Sequence, residues 1–193
     1  MNPQISVLIP MYNRKHCIAN CIDSVLIQTF KDFEIIVRDD ASTDGSAEFV
    51  SEHYAAEISS GKIKLKRNPK NLGECPTDNR LIYEATGKYI MILHSDDMFM
   101  PNALEHMYAV AEEHNADVVH SSMLFKTKYS GNLNNPESLI LSICDKHPVK
   151  KITIMPNEPE VRFKEWLDGR IHIDAQYNIF SRKFLVDNDI YFW

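Results

Sequence analysis

The stretch that most constrains this chain is Lys88 to Phe99, KYIMILHSDDMF. Five of the six residues from Tyr89 to His94 are apolar or aromatic, and two adjacent carboxylates follow. A continuous apolar run of this length, bounded by turn signals, fits a strand buried on both faces, as in a parallel sheet. Asp96 and Asp97 then fall at its carboxyl end, where open α/β sheets place their ligands. Two neighbouring aspartates repel unless a cation or proton lies between them. Hard divalent metals take such oxygen ligands, usually shared with substrate phosphates. An Asp-Asp pair alone is more often a solvated acidic turn than a metal site, so the rest of the chain has to decide.

The preceding residues repeat a strand-then-helix rhythm. Ile5–Ile9 reads as a buried strand stopped by Pro10, with Tyr12 and Asn13 carried just past its end. Ile18, Cys21, Ile22, Val25 and Leu26 recur at spacings of one, three and four, which gives a helix with one apolar face. Phe33–Val37 is the second strand, ended by Arg38-Asp39-Asp40, and Asp44 is placed to cap the helix after it. Ile63–Leu65 is a short third strand, followed by the turn-rich NPKNLGE. A helix is predicted over Cys75–Thr86 with Gly87 as its closing C′ residue. Beyond the aspartates, Pro101 opens a helix running to Glu113, and Ala116–Ser121 is a further strand.

This alternation predicts an α/β fold: a Rossmann-like, doubly wound, mostly parallel sheet with helices on both faces. From Ser122 the pattern weakens, and Lys126–Pro159 alternates Asn, Pro and Lys clusters with short apolar patches. That part reads as an irregular insertion on the substrate side. A helix returns over Arg182–Asn188, and the closing IYFW looks like a strand, which suggests a chain cut short.

Composition narrows the functional classes. With 193 residues there is enough chain for one α/β domain. A net charge of −6 leaves no broad electrostatic footprint for nucleic acid. Four cysteines without C-x-x-C spacing point to free thiols in a reducing cytoplasm, and Cys17 with Cys21 lacks a matching pair for zinc. The first residues lack the basic leader of a signal peptide, and no run approaches the length of a membrane span.

Three strand ends thus carry polar groups suited to a nucleotide: Tyr12, Asp39-Asp40 and Asp96-Asp97. Taken singly, Tyr12 could be a packed aromatic and Asp39-Asp40 a turn; their convergence on one sheet edge is the functional signal. Neither a P-loop nor a G-x-G-x-x-G fingerprint is present, so a phosphate here would need a metal.

These segments together, ISVLIPMYN, SVLIQTFKDFEIIVRDDASTDGS, NLGECPTDN and TGKYIMILHSDDMFMP, resemble the family 2 glycosyltransferases of GT-A fold. The similarity runs from Ile5 to about Met123 and more weakly to Trp193. It implies one domain, with residues 1–121 binding a nucleotide sugar and 122–193 forming a C-terminally truncated acceptor side. It also implies a nucleotide-binding set of Pro10, Tyr12, Asn13, Asp39, Asp40, Asn79 and Asp96. In that set Tyr12 packs on the base, Pro10 shapes its pocket, and Asp40 accepts from the base imide with support from Asp39. Asp96 would reach the ribose or a metal-bound water, and Asp97 would coordinate Mn2+ or Mg2+ bridging the diphosphate. The partners implied are a nucleoside-diphosphate sugar, in most members a UDP-sugar, and a saccharide or lipid-linked acceptor. The location implied is cytoplasmic or peripheral at the inner face of the plasma membrane, in cell-surface polysaccharide assembly.

Two positions depart from the family pattern. Asp78 stands before Asn79 where many members carry an arginine, and Arg80 follows instead. The family's catalytic base lies beyond a segment like FLVDNDIYFW, so Asp174 is the in-chain candidate, whereas Asp187 and Asp189 suit a helix end. Two rivals stay open: a nucleotidyltransferase, which would want a glycine-rich loop after the first strand, and a nucleotide-sugar-binding module without turnover.

Overall fold

The computed structural model describes residues 2–120 and 178–192. Six strands form one sheet: β1 (Ile5–Met11), β2 (Phe33–Asp39), β3 (Ile63–Arg67), β4 (Tyr89–Ile92), β5 (Val118–His120) and β6 (Asn178–Ser181). Their order across the sheet is β3-β2-β1-β4-β6-β5. The first four are mutually parallel, and β6 runs antiparallel to both β4 and β5. The described helices are α1 (Ile18–Leu26), α2 (Ser46–His53), α3 (Ala55–Ser59), α4 (Glu74–Glu84), α5 (Ala103–Glu113) and α6 (Arg182–Asp187).

Side-chain alternation along β1 and β2 divides the core. Ile5, Val7, Ile9 and Met11 join Ile35 and Val37 on one face, packed with Ile18, Cys21, Ile22 and Val25 of α1. Leu8, Ile36, Ile90 and Ile92 meet Leu81 and Ile82 of α4 and Leu185 of α6 on the other. Both faces are therefore covered, and this is why the central strands carry apolar residues on both sides. Burying each such Ile or Leu stabilises the fold by about 2 kcal/mol relative to exposure.

Pro10 does not stop β1; the strand continues through it to Met11, which pairs with Asp39. Leu93 N donates to Leu8 O and Asp40 N donates to Met11 O, so odd positions near the strand end face β2 and even ones face β4. The last β1–β4 pair is Leu8 with Ile92, so the missing Pro10 N–H falls where no strand remains to receive it. Gly87 also differs from the expectation. Helix α4 ends at Glu84 with Ala85 extended, and Gly87 lies against β1. A Cβ there would come within 2.6 Å of Ser6 N and 2.8 Å of Ile5 C, so close approach and not helix capping requires glycine. Helix α5 begins at Ala103 with Asn102 as its cap residue, two positions after Pro101. The closing segment is not a strand over residues 190–192; Asn79 clamps it, donating to Phe192 O at 2.8 Å and accepting from Phe192 N at 2.9 Å.

A polar seam crosses the α4 face near the strand starts. Ser6 Oγ donates to Glu34 at 2.6 Å, and the Gly87 N–H donates back to Ser6 Oγ at 2.9 Å. Burial alone would raise the Glu34 carboxyl, but donors from Lys64, Ser6 and Thr86 outweigh it and hold it below the usual range.

Candidate active site

The carboxyl ends of β1, β2 and β4 bring three loops together. The β1 and β2 loops are fastened to each other by side chains on backbone. Asn13 N donates to Ser42 Oγ at 2.8 Å, and Thr43 N donates to Asn13 Oδ1 at 2.9 Å. Arg14 N donates to Ser46 Oγ at 2.9 Å and Lys15 N to Asp44 at 3.1 Å. Asn13 sits at φ 53°, a left-handed conformation that asparagine tolerates better than most residues. Asp44 accepts from Ser46 N at 2.9 Å, one position ahead of Gly45, which occupies the cap position of α2. Tyr12 emerges from this braced pair of loops with 42% of its surface exposed.

Asp39, the last residue of β2, and Asp40 just past it are buried and engaged. Asp39 accepts from Ser42 N at 3.2 Å and pairs with Arg67 Nε at 3.1 Å. Asp40 accepts from Asn68 Nδ2 at 2.7 Å, Leu72 N at 2.9 Å and Gly73 N at 2.9 Å. Asp40 thereby ties the NPKNLGE loop to the end of β2. An ionised carboxylate offers about four acceptor sites, so three donors leave room for one more.

Asn68 organises this corner, and sequence reading overlooked it. Its Nδ2 donates to Asp40 and, at 3.0 Å, to Thr77 Oγ1. Its Oδ1 accepts from Arg38 at 2.8 Å and Arg80 at 3.2 Å. The one available signal was its place directly after β3, at the head of a turn-rich run. Asn79, by contrast, bonds Phe192 with both ends of its amide.

Asp96 and Asp97 lie on a turn after β4, closed by Asp97 N donating to His94 O at 2.9 Å. Arg14, two residues beyond Tyr12, reaches across to Asp96 at 3.4 Å. Helix α1 supports the turn: Cys21 Sγ donates to His94 O at 3.5 Å and Cys17 Sγ to Ser95 O at 3.6 Å. Burial, and then the nearby Asp97, hold the Cys21 thiol well above its ordinary range, so it stays a neutral donor. Cys17, Cys21 and Cys75 are all free thiols. The Asp96-Asp97 donor set fits a hard divalent cation, being two carboxylates on one short turn.

Asp78 carries a buried oxygen without a hydrogen-bond partner: the residue is 2% exposed, and its Oδ1 meets no donor. Burial, and secondarily the charge of Glu74, push its carboxyl up to about 7. Asp174, the candidate base, lies outside the described residues, as does most of the segment from 122 onward. Among the described residues no helix is long and apolar enough to cross a membrane.

A braced aromatic, buried aspartates and an Asp-Asp turn meet at one edge of a doubly wound α/β sheet. The chain belongs to glycosyl transferase family 2, whose family model matches residues 6–187. It is 33% identical over 159 residues to EpsE of Bacillus subtilis strain 168, assigned as a glycosyltransferase, covering 82% of this chain and 50% of that protein. It is 31% identical over 191 residues to WcaA of Escherichia coli K12, assigned to colanic acid biosynthesis, covering 94% of this chain and 66% of that one. Residues 1–349 of S. aureus TarS share the fold, with a TM-score of 0.73 and 24% identity over 100% of this chain and 50% of that structure. The same TarS region has been crystallised with UDP-GlcNAc. The chain thus spans about half to two-thirds of the length of these relatives.

Proposed function

We propose that this chain is the donor-binding part of an inverting glycosyltransferase. Its donor is a UDP-sugar, and its acceptor is a hydroxyl of a saccharide or lipid-linked saccharide in cell-surface polysaccharide assembly. The observation that carries the reading is the Arg14–Asp96 contact, which joins the Tyr12 loop to the Asp96-Asp97 turn at the strand ends. Relatives support the reading: WcaA is assigned to colanic acid biosynthesis, and TarS was crystallised in complex with UDP-GlcNAc.

Within this reading the exposed Tyr12 ring offers a stacking platform for the base. The remaining acceptor site of Asp40 takes the imide N–H, and discrimination against bases without that donor follows from its burial. Arg14 exchanges its partner Asp96 for the diphosphate when the donor enters, so the site is not left with unpaired charge in either state. Asp97 and Asp96 would hold Mn2+ or Mg2+, which when bound supplies Lewis-acid stabilisation of charge on the departing diphosphate. The acceptor oxygen attacks the anomeric carbon in line, the sugar–phosphate bond breaks, and a carboxylate takes the hydroxyl proton. Asp174 is the in-chain candidate for that base. A lipid-linked acceptor would put the work at the inner face of the plasma membrane.

Thermal denaturation of the purified protein with Mn2+ and each of UDP, GDP, ADP and CDP tests the base assignment. UDP raises the midpoint most, and Tyr12→Ala and Asp40→Asn both remove that increment. Equal shifts with all four nucleotides, or an unchanged UDP increment in both variants, refute the assignment.

A further inference from the structure

We propose that His94, Glu74 and Asp78 form a divalent transition-metal site with ligands distinct from the Asp96-Asp97 pair. One ligand atom from each of the three lies within 4.8 Å of the others. Glu74 and Asp78 are four residues apart on α4, so both project from the same side of its first turns. His94 opens the turn after β4, and its Nε2 stands 3.2 Å from Glu74. Two separate elements therefore deliver three donors to one point.

Asp78 supplies the independent reason to expect a cation there. The residue is 2% exposed, and its Oδ1 has no hydrogen-bond donor. Buried carboxylates are normally met by donors, partner charges or metals, and one left bare is costly. A proton would neutralise Asp78 alone, leaving Glu74 against the same face. A divalent ion meets both carboxylates and the imidazole at once.

The donor set selects the class of ion. One imidazole with two carboxylates suits Zn2+, Mn2+ or Co2+, whereas Mg2+ favours oxygen and water throughout. Three protein ligands leave at least one position open, as in sites that exchange a water or bind a substrate atom. Glu74 has a side chain 64% exposed, which gives the ion a way in from solvent. The site needs no nucleotide, so it stands or falls separately from the donor reading above.

The test is calorimetric titration of Zn2+ into the metal-stripped protein without nucleotide, with Co2+ visible absorption as a second readout. Four proteins are compared: wild type, Asp78→Asn, Glu74→Gln and the double variant Asp96→Asn/Asp97→Asn. Far-UV circular dichroism confirms that each is folded, and Glu74→Gln alters an exposed side chain that the core does not use. The expected result is a 1:1 site weakened at least tenfold by Asp78→Asn and by Glu74→Gln, and kept in the double variant. The Co2+ spectrum shows imidazole ligation in the same proteins. Absence of binding in wild type overturns the proposal. So does binding lost only in the Asp96/Asp97 variant, or unaltered by both Asp78→Asn and Glu74→Gln.

Discussion

Replacing Asp78 by asparagine should stabilise the metal-free protein in alkaline solution and flatten its response to pH. The carboxyl is neutral more readily in the folded state, where it is pushed up to about 7, than in an unfolded chain, where it titrates near 3.8. Below both values it is protonated in either state and contributes nothing. Between them the folded protein binds the extra proton, so stability falls as pH rises, and above about 7 the penalty is constant. At about 1.4 kcal/mol per pH unit, roughly three units amount to about 4 kcal/mol at pH 8. At pH 5 little more than one unit has accrued, so about 3 kcal/mol should separate the two conditions. Asparagine at this position carries its own cost, because its amide finds no better partners, but that cost does not vary with pH. The assay is urea denaturation of both proteins in EDTA at pH 5 and pH 8. Wild type should lose about 3 kcal/mol more than Asp78→Asn between the two. Parallel losses would refute the claim that burial raises the Asp78 carboxyl.

Gly87→Ala should destabilise by about 2–3 kcal/mol or more, because the new methyl meets Ser6 and Ile5 backbone that cannot move aside; thermal denaturation reads it. Asn79→Ala should free the closing segment by removing both bonds to Phe192, costing about 1–2 kcal/mol and raising hydrogen exchange at Phe192 selectively. Asn68→Ala should loosen the 68–73 loop, leaving Asp40, Arg38 and Arg80 short of a partner. We expect a loss of about 2 kcal/mol and at least tenfold weaker UDP binding in calorimetry.

The parts of this fold legible in sequence are those set by short-range pattern. The apolar runs of β1, β2 and β4 and the one-sided stripe of α1 announce themselves, and with them the strand ends where Tyr12, Asp40 and Asp96 stand. What escaped reading depends on partners distant in sequence. Pro10 is tolerated in β1 because β4 has already diverged, which its own neighbours do not encode. Gly87 is required by contact with Ser6, 81 residues earlier. Asn68 gains its role from Arg38, Asp40, Thr77 and Arg80 together, and a lone asparagine before a proline reads only as a turn. His94 looks like the tail of a strand until α4 brings Glu74 to it. Asn79 has a partner that no short-range pattern announces: its side chain holds Phe192, 113 residues later. Asp174 lies outside the described residues, as do residues 121–177 as a whole.

The donor site itself is tested most directly by calorimetric titration of UDP, with and without Mn2+, into wild type and Asp97→Ala. The account predicts binding that strengthens with Mn2+ in wild type and loses that dependence in the variant, which stays folded. Failure of the folded wild-type protein to bind UDP under either condition would contradict it, as would Mn2+-dependent binding that survives Asp97→Ala unchanged.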